Sequence, residues 1–154
     1  METTVEWGTS RGMLGQMPRE SGGWLLGSPI VASILVVEDE ILLGRQLARS
    51  LEAGGHEVRN ASNGAAALAA LRADPPDLVL LDLRLPDRSG LDVLTDIQTE
   101  LPGLPVVLMT AYGSVRDAVD AMRRGAADYL QKPLDLDELA LLVNRVLSRQ
   151  REQR

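Results

Sequence analysis

The chain has 154 residues, 45% of them hydrophobic and 25% charged, with a net charge of -6. That is the mix and size of one globular domain, which argues against two full domains, wholesale disorder or a membrane-spanning class. The absence of cysteine removes a disulfide scaffold, a thiolate zinc site and a cysteine nucleophile, and the acidic balance argues against direct nucleic-acid binding, which needs basic surface.

Residues 1–32 hold six of the 14 glycines, both tryptophans and no periodic apolar pattern, and they read as a flexible N-terminal extension. The apolar stretch from Trp24 to Val37 is broken by Gly27, Ser28, Pro29 and Ser33 and stops at Glu38-Asp39-Glu40, too short to span a bilayer. It also lacks the basic start and small-residue cleavage site of a signal peptide, so no membrane association and a cytoplasmic location are expected.

From Ser33 the texture becomes a β/α alternation, with the domain expected over 33–150 and a polar helical tail or linker stub over 151–154. Ile34–Val37, Leu78–Leu81 and Val106–Met109 are continuously apolar, as central parallel strands covered on both faces are. Val58, with its polar neighbours Glu57 and Arg59, and the run 127–130 are weaker and suit the outer strands. Between them, Leu43, Leu47 and Leu51 mark a first helix that stops at Gly54-Gly55, where glycine suits a left-handed cap. Leu68 and Leu71 mark a second helix after Asn63, and Leu91, Leu94 and Ile97 a third after Ser89-Gly90. Val115, Ala118, Val119 and Met122 give the fourth an apolar stripe that ends at Gly125. The fifth has a capping-box-like start at Asp135 and Glu138 and the stripe Leu139, Leu142, Val143 and Val146. Five strands alternating with five helices predict an α/β fold, a three-layer doubly wound parallel sheet.

Chemistry in such a sheet gathers beyond the carboxyl ends of the strands, where strand order reverses. That edge is loaded: Glu38 and Asp39 follow the first apolar run, Asp82 the third, Thr110 the fourth and Lys132 the fifth. If the order is 2-1-3-4-5, Asp39 and Asp82 face each other across the switch point. Three adjacent carboxylates repel, so the arrangement predicts a hard divalent cation, with Mg²⁺ fitting best. A carboxylate, a metal, a hydroxyl and an ammonium make a phosphoryl site, with Asp82 as the attacking carboxylate and Lys132 and Thr110 stabilising oxygen charge. Glu40 and Asp87 read instead as helix caps, His56 as a surface or packed histidine, and the arginines after residue 144 as a solvated helix end, or else the start of a linker.

Ile34-Leu-Val-Val-Glu-Asp39, Asp82-Leu-Arg-Leu-Pro86 with Gly90, Thr110-Ala-Tyr-Gly-Ser114 and Asp128-Tyr-Leu-Gln-Lys-Pro133, in order, resemble the receiver domain of bacterial two-component response regulators. The strand order 2-1-3-4-5 comes with this flavodoxin-like and CheY-like resemblance. It implies that Asp82 accepts a phosphoryl group from the phosphohistidine of a sensor histidine kinase, and that Asp39 binds Mg²⁺ with help from Glu38 and the main-chain carbonyl of Arg84. It also implies that Thr110 and Tyr129 form a conformational switch, that Lys132 binds a phosphoryl oxygen, and that the Lys132-Pro133 bond is cis. The segment from Thr110 to Leu130 is similar to receivers of NtrC-type regulators, whose ATPase and DNA-binding domains lie downstream. The 32-residue extension and Leu134, where phenylalanine is common, depart from the pattern.

The expectation is thus a phosphoacceptor signalling domain rather than an enzyme, whose fourth helix, fifth strand and fifth helix form a face for homodimerisation or an output partner. A stand-alone phosphorelay or protein-binding module is the alternative. A Mg²⁺-dependent phosphohydrolase is disfavoured, because Arg84 stands where such an enzyme usually carries its acid/base aspartate.

Overall fold

The computed structural model describes residues 31–111 and 114–152. All but the last two residues of the expected extension lie outside this range, with both tryptophans, as do Tyr112, Gly113 and the final two residues of the expected tail. The elements run β1 (Ser33–Val37), α1 (Ile41–Ala53), β2 (Glu57–Ala61), α2 (Gly64–Ala73), β3 (Leu78–Asp82), α3 (Gly90–Glu100), β4 (Val106–Thr110), α4 (Val115–Arg123), β5 (Asp128–Gln131) and α5 (Leu136–Glu152). All strand pairs are parallel and the sheet order is β2-β1-β3-β4-β5.

The continuous apolar runs have a direct cause. Side chains alternate across a strand, and here both faces are covered. Leu35, Val37, Val79, Leu81, Val106 and Leu108 pack under α2, α3 and Ala121 of α4. Their neighbours Ile34, Val36, Leu78, Leu80, Val107 and Met109 pack under α1 and α5. The outer strands β2 and β5 carry polar residues because each has only one flanking strand and a partly exposed surface.

Helix α1 ends as its glycines predict: Gly55 has φ 96°, a left-handed conformation that side chains resist. Asp135 caps α5, its Oδ1 accepting from the amides of Asp137 at 2.9 Å and Glu138 at 3.3 Å. Glu40 stands at the N-cap of α1, but its side chain makes no cap bond. Asp87 does cap a helix, though not the one that follows it: it caps α2 from a distance.

The largest departure from the sequence pattern is α4. Ala118 and Ala121 are buried, whereas Val115, Val119 and Met122 are exposed. The large apolar residues share a face, but the helix turns its small residues to the core. Helix α5 runs to Glu152, two residues into the segment expected as a helical tail or linker stub.

Candidate functional site

Register brings the site together. Val37 pairs with Leu81, so the next residues, Glu38 and Asp82, leave the sheet side by side. Asp82 pairs with Met109, which places Thr110 one step beyond it, and Thr110 pairs with Gln131, which places Lys132 one step further. Four residues scattered over the sequence therefore share one sheet edge.

Glu38 and Asp82 are buried and Asp39 is exposed, and carboxylate oxygens of all three lie within 4.8 Å of one another. The Lys132 ammonium donates to Glu38 Oε1 at 2.8 Å and to Asp82 Oδ2 at 3.0 Å. The backbone also contributes: the Glu40 amide donates to Glu38 Oε2 at 3.1 Å and the Arg84 amide to Asp82 Oδ1 at 3.2 Å. The Lys132-Pro133 bond is cis.

Charge follows from this geometry. Burial pushes the Glu38 carboxyl pKa up; the bonds from Lys132 and the Glu40 amide offset only part of that, and the nearby Asp82 charge adds to it. For Lys132, burial works against the ammonium, but its bonds to Glu38 and Asp82 outweigh burial and the net shift is upward. One cation against three carboxylates leaves an uncompensated excess of negative charge. At 4.8 Å each carboxylate pair repels by about 3 kcal/mol at an effective dielectric of about 20.

Hard oxygen donors in this number suit Mg²⁺. Mg²⁺ takes oxygen ligands and is commonly bound through one or two carboxylates, and Glu38, Asp39 and Asp82 offer three carboxylate oxygens within 4.8 Å of one another. The donor set fits the cation.

Thr110 is fully buried at the end of β4, and its hydroxyl points toward β5, donating to the Leu130 carbonyl at 3.4 Å. Among the described residues it makes no hydrogen bond to Asp82. Tyr129 lies on β5, 39% exposed. The strand ends already put Lys132 on the same edge as Glu38, 94 positions away, and Asp82, but not its direct bonds to both carboxylates. Sequence spacing hid the link from Asp87 to α2, for which no local pattern exists.

The start of α3 packs closely against the end of β3. A Cβ on Gly90 would stand 2.7 Å from Leu83 Cα, so the start of α3 can approach β3 this closely only with glycine there. Ser89 then caps α3, its Oγ accepting from the Leu91 amide at 3.1 Å.

Five parallel strands in this order, with an acidic edge at the switch point, define a flavodoxin-like doubly wound domain. Residues 34–144 match the family described as the response regulator receiver domain, and the chain belongs to that family. Receiver domains are signalling domains, and phosphorylation by a kinase is the family's general mechanism. The chain is 41% identical over 120 residues to the DNA-binding transcriptional regulator NtrC of Escherichia coli, covering 78% of this chain and 26% of that protein. It is 41% identical over 123 residues to the probable transcriptional regulatory protein TcrX of Mycobacterium tuberculosis, covering 80% of this chain and 52% of that one. The chain thus spans about half of TcrX and about a quarter of NtrC.

Among solved structures, the receiver domain of NtrX from Brucella abortus superposes with a TM-score of 0.73 at 41% identity, covering 75% of this chain and 98% of that domain. A CheY-like receiver domain protein from Methanospirillum hungatei gives 0.77 at 27% identity, with 81% and 100% covered. No helix among the described residues is long and apolar enough to cross a membrane.

Proposed function

We propose that this chain is a cytoplasmic phosphoacceptor switch in which Asp82 receives a phosphoryl group from the phosphohistidine of a sensor histidine kinase. One observation carries the reading: a buried carboxylate at the sheet's carboxyl edge is gripped by the chain's single lysine, with two further carboxylates within 4.8 Å. In the transfer, an Asp82 oxygen bonds to phosphorus as the donor's nitrogen–phosphorus bond breaks, and the imidazole leaves with the bonding pair. Glu38, Asp39, Asp82 and the main-chain carbonyl of Arg84 would hold Mg²⁺. When bound, that ion supplies positive charge against the phosphoryl oxygens.

The remaining steps belong to the protein. Lys132 already rests on Asp82 Oδ2 at 3.0 Å, so its ammonium is placed to bond an oxygen of the new phosphoryl group. Thr110 would exchange its 3.4 Å bond to the Leu130 carbonyl for one to the phosphoryl group, since a neutral carbonyl is a weaker acceptor than a charged oxygen. Tyr129, exposed on the neighbouring strand β5, would turn inward as space opens. The face formed by α4, β5 and α5 would then change its packing toward a second copy or an output partner; exposed Val119, Met122 and Tyr129 support that choice.

Incubation with Mg²⁺ and a small phosphodonor should add one phosphoryl group by intact mass, and Asp82→Asn should abolish the addition. Undiminished labelling of that variant would overturn the assignment.

A further inference from the structure

The loop from Leu83 to Ser89 follows Asp82 and contains Arg84, whose main-chain carbonyl the metal reading above assigns to Mg²⁺, yet the backbone holds this loop only near its ends. The Leu83 amide donates to the Met109 carbonyl at 3.0 Å, the Gly90 amide to the Leu83 carbonyl at 2.6 Å, and Arg84 bridges Ser89. Between these ties, the middle of the loop is held by side chains. Leu85 packs partly buried against the core, Arg88 pairs with Asp96 at 2.6 Å, and Asp87 reaches out of the loop altogether.

Asp87 Oδ1 accepts from the Gly64 amide at 2.8 Å and Oδ2 from the Ala65 amide at 2.9 Å. These are the first two amides of α2, which have no partner inside the helix. The helix's own cap, Asn63, takes only the third, accepting from Ala66 at 2.7 Å. A carboxylate here is further favoured by the positive end of the helix dipole, and the two amide bonds hold its pKa below the ordinary value. The bond pair is bidentate, so it restrains both the position and the orientation of residue 87. Asp87 is therefore the only side chain in this loop that bonds to backbone outside β3, the loop and α3, among the described residues.

We infer that Asp87 is a positioning residue: by clamping the loop to the rigid start of α2, it fixes the Arg84 carbonyl where a Mg²⁺ ion held by Glu38, Asp39 and Asp82 can use it. The inference rests on the metal reading above. Mg²⁺ tolerates little departure from octahedral geometry, so a loosened carbonyl weakens binding even though every carboxylate remains. Partners of this outer kind are commonly worth about 10–100-fold in metal affinity.

Isothermal titration of the full chain with MgCl₂ tests it, with two caps of the same helix end compared. Asp87→Ala should raise the Kd for Mg²⁺ about tenfold, and Asp87→Asn, which keeps one acceptor oxygen, should fall between it and the wild type. Asn63→Ala removes a cap from the same helix but leaves the loop tied, so it should lower thermal stability while changing the Kd less than about twofold. Equal weakening by Asn63→Ala and Asp87→Ala would reduce Asp87 to a cap and overturn the inference, as would an unchanged Kd in Asp87→Ala. A wild-type chain that binds no Mg²⁺ would overturn the metal reading itself, and the inference with it.

Discussion

Lys132 shows how a single side chain is selected by its surroundings. The chain uses arginine at every other basic position, but here the group must reach two buried carboxylates on adjacent strands. A compact ammonium on a flexible stem does so at 2.8 and 3.0 Å, whereas a planar guanidinium is suited to one carboxylate held bidentately. His56 is a second residue set by burial. Its Nδ1 accepts from the Ala32 amide at 3.0 Å, a bond that needs that nitrogen unprotonated, and burial lowers its pKa from 6.5. The unfolded chain therefore binds the proton first as pH falls. Stability from this residue is complete above the ordinary pKa of 6.5 and is lost as pH drops from there through the lower folded value. Urea unfolding between about pH 7.5 and about 5.5 should show stability falling by up to about 1.4 kcal/mol per pH unit from this source. The drop should be smaller in His56→Asn, which keeps an acceptor without a proton to gain. An identical slope in the two proteins would remove His56 from the account. The raised Glu38 pKa works in the opposite direction, so the comparison with the variant isolates the histidine.

At the scale of elements, α4 differs from the other helices. Its C-terminal end is fastened to α3, where Arg124 donates to the Leu91 carbonyl at 3.2 Å and Gln98 donates to the Gly125 carbonyl at 2.6 Å. Its buried contacts come from alanines, which bring the helix close to the sheet but bury little apolar area. The exposed Val119 and Met122 contribute little to stability in the isolated chain. Thermal unfolding of Val119→Thr with Met122→Gln should therefore shift the midpoint by no more than about 2 °C, whereas Ala121→Leu should cost about 1–3 kcal/mol by overpacking. The reverse ranking would mean that α4 presents its large residues to the core. A weakly buried helix beside the site is also the element that can be repacked at least cost.

For the molecule as a whole, the sheet divides two separate apolar layers. Leu80 faces α1 and α5, and its neighbour Leu81 faces α2, α3 and α4. Both are fully buried, so Leu80→Ala and Leu81→Ala should each cost about 2–5 kcal/mol in urea unfolding. Against a domain stability of about 5–15 kcal/mol, either loss is large. A cost below about 1 kcal/mol for one of them would mean that its side of the sheet is not close-packed. This two-sided covering leaves the carboxyl edge as the place where polar groups can collect, and there Glu38 and Asp82 are buried while Asp39 is exposed.

The sequence by itself determined where the central strands lie and which residues follow them. Strands covered on both faces must be apolar throughout, so Ile34–Val37, Leu78–Leu81 and Val106–Met109 announce themselves, and Glu38, Asp39, Asp82, Thr110 and Lys132 stand at their ends. The helices were readable for the same reason wherever an apolar stripe met the core, as in α3 and α5. Periodicity says that a helix has an apolar face, but not what covers that face. Hence the stripe Val115, Ala118, Val119 and Met122 marks α4 as a helix, but of that stripe only Ala118 is buried, together with Ala121, and the three larger residues are exposed. Only the tertiary structure decided the contacts between distant segments: the grip of Lys132 on Glu38 and Asp82, the turn of the Thr110 hydroxyl toward Leu130, and the span from Asp87 to α2. These depend on strand register and on the approach of one loop to another helix's free amides, and no local pattern of residues encodes either.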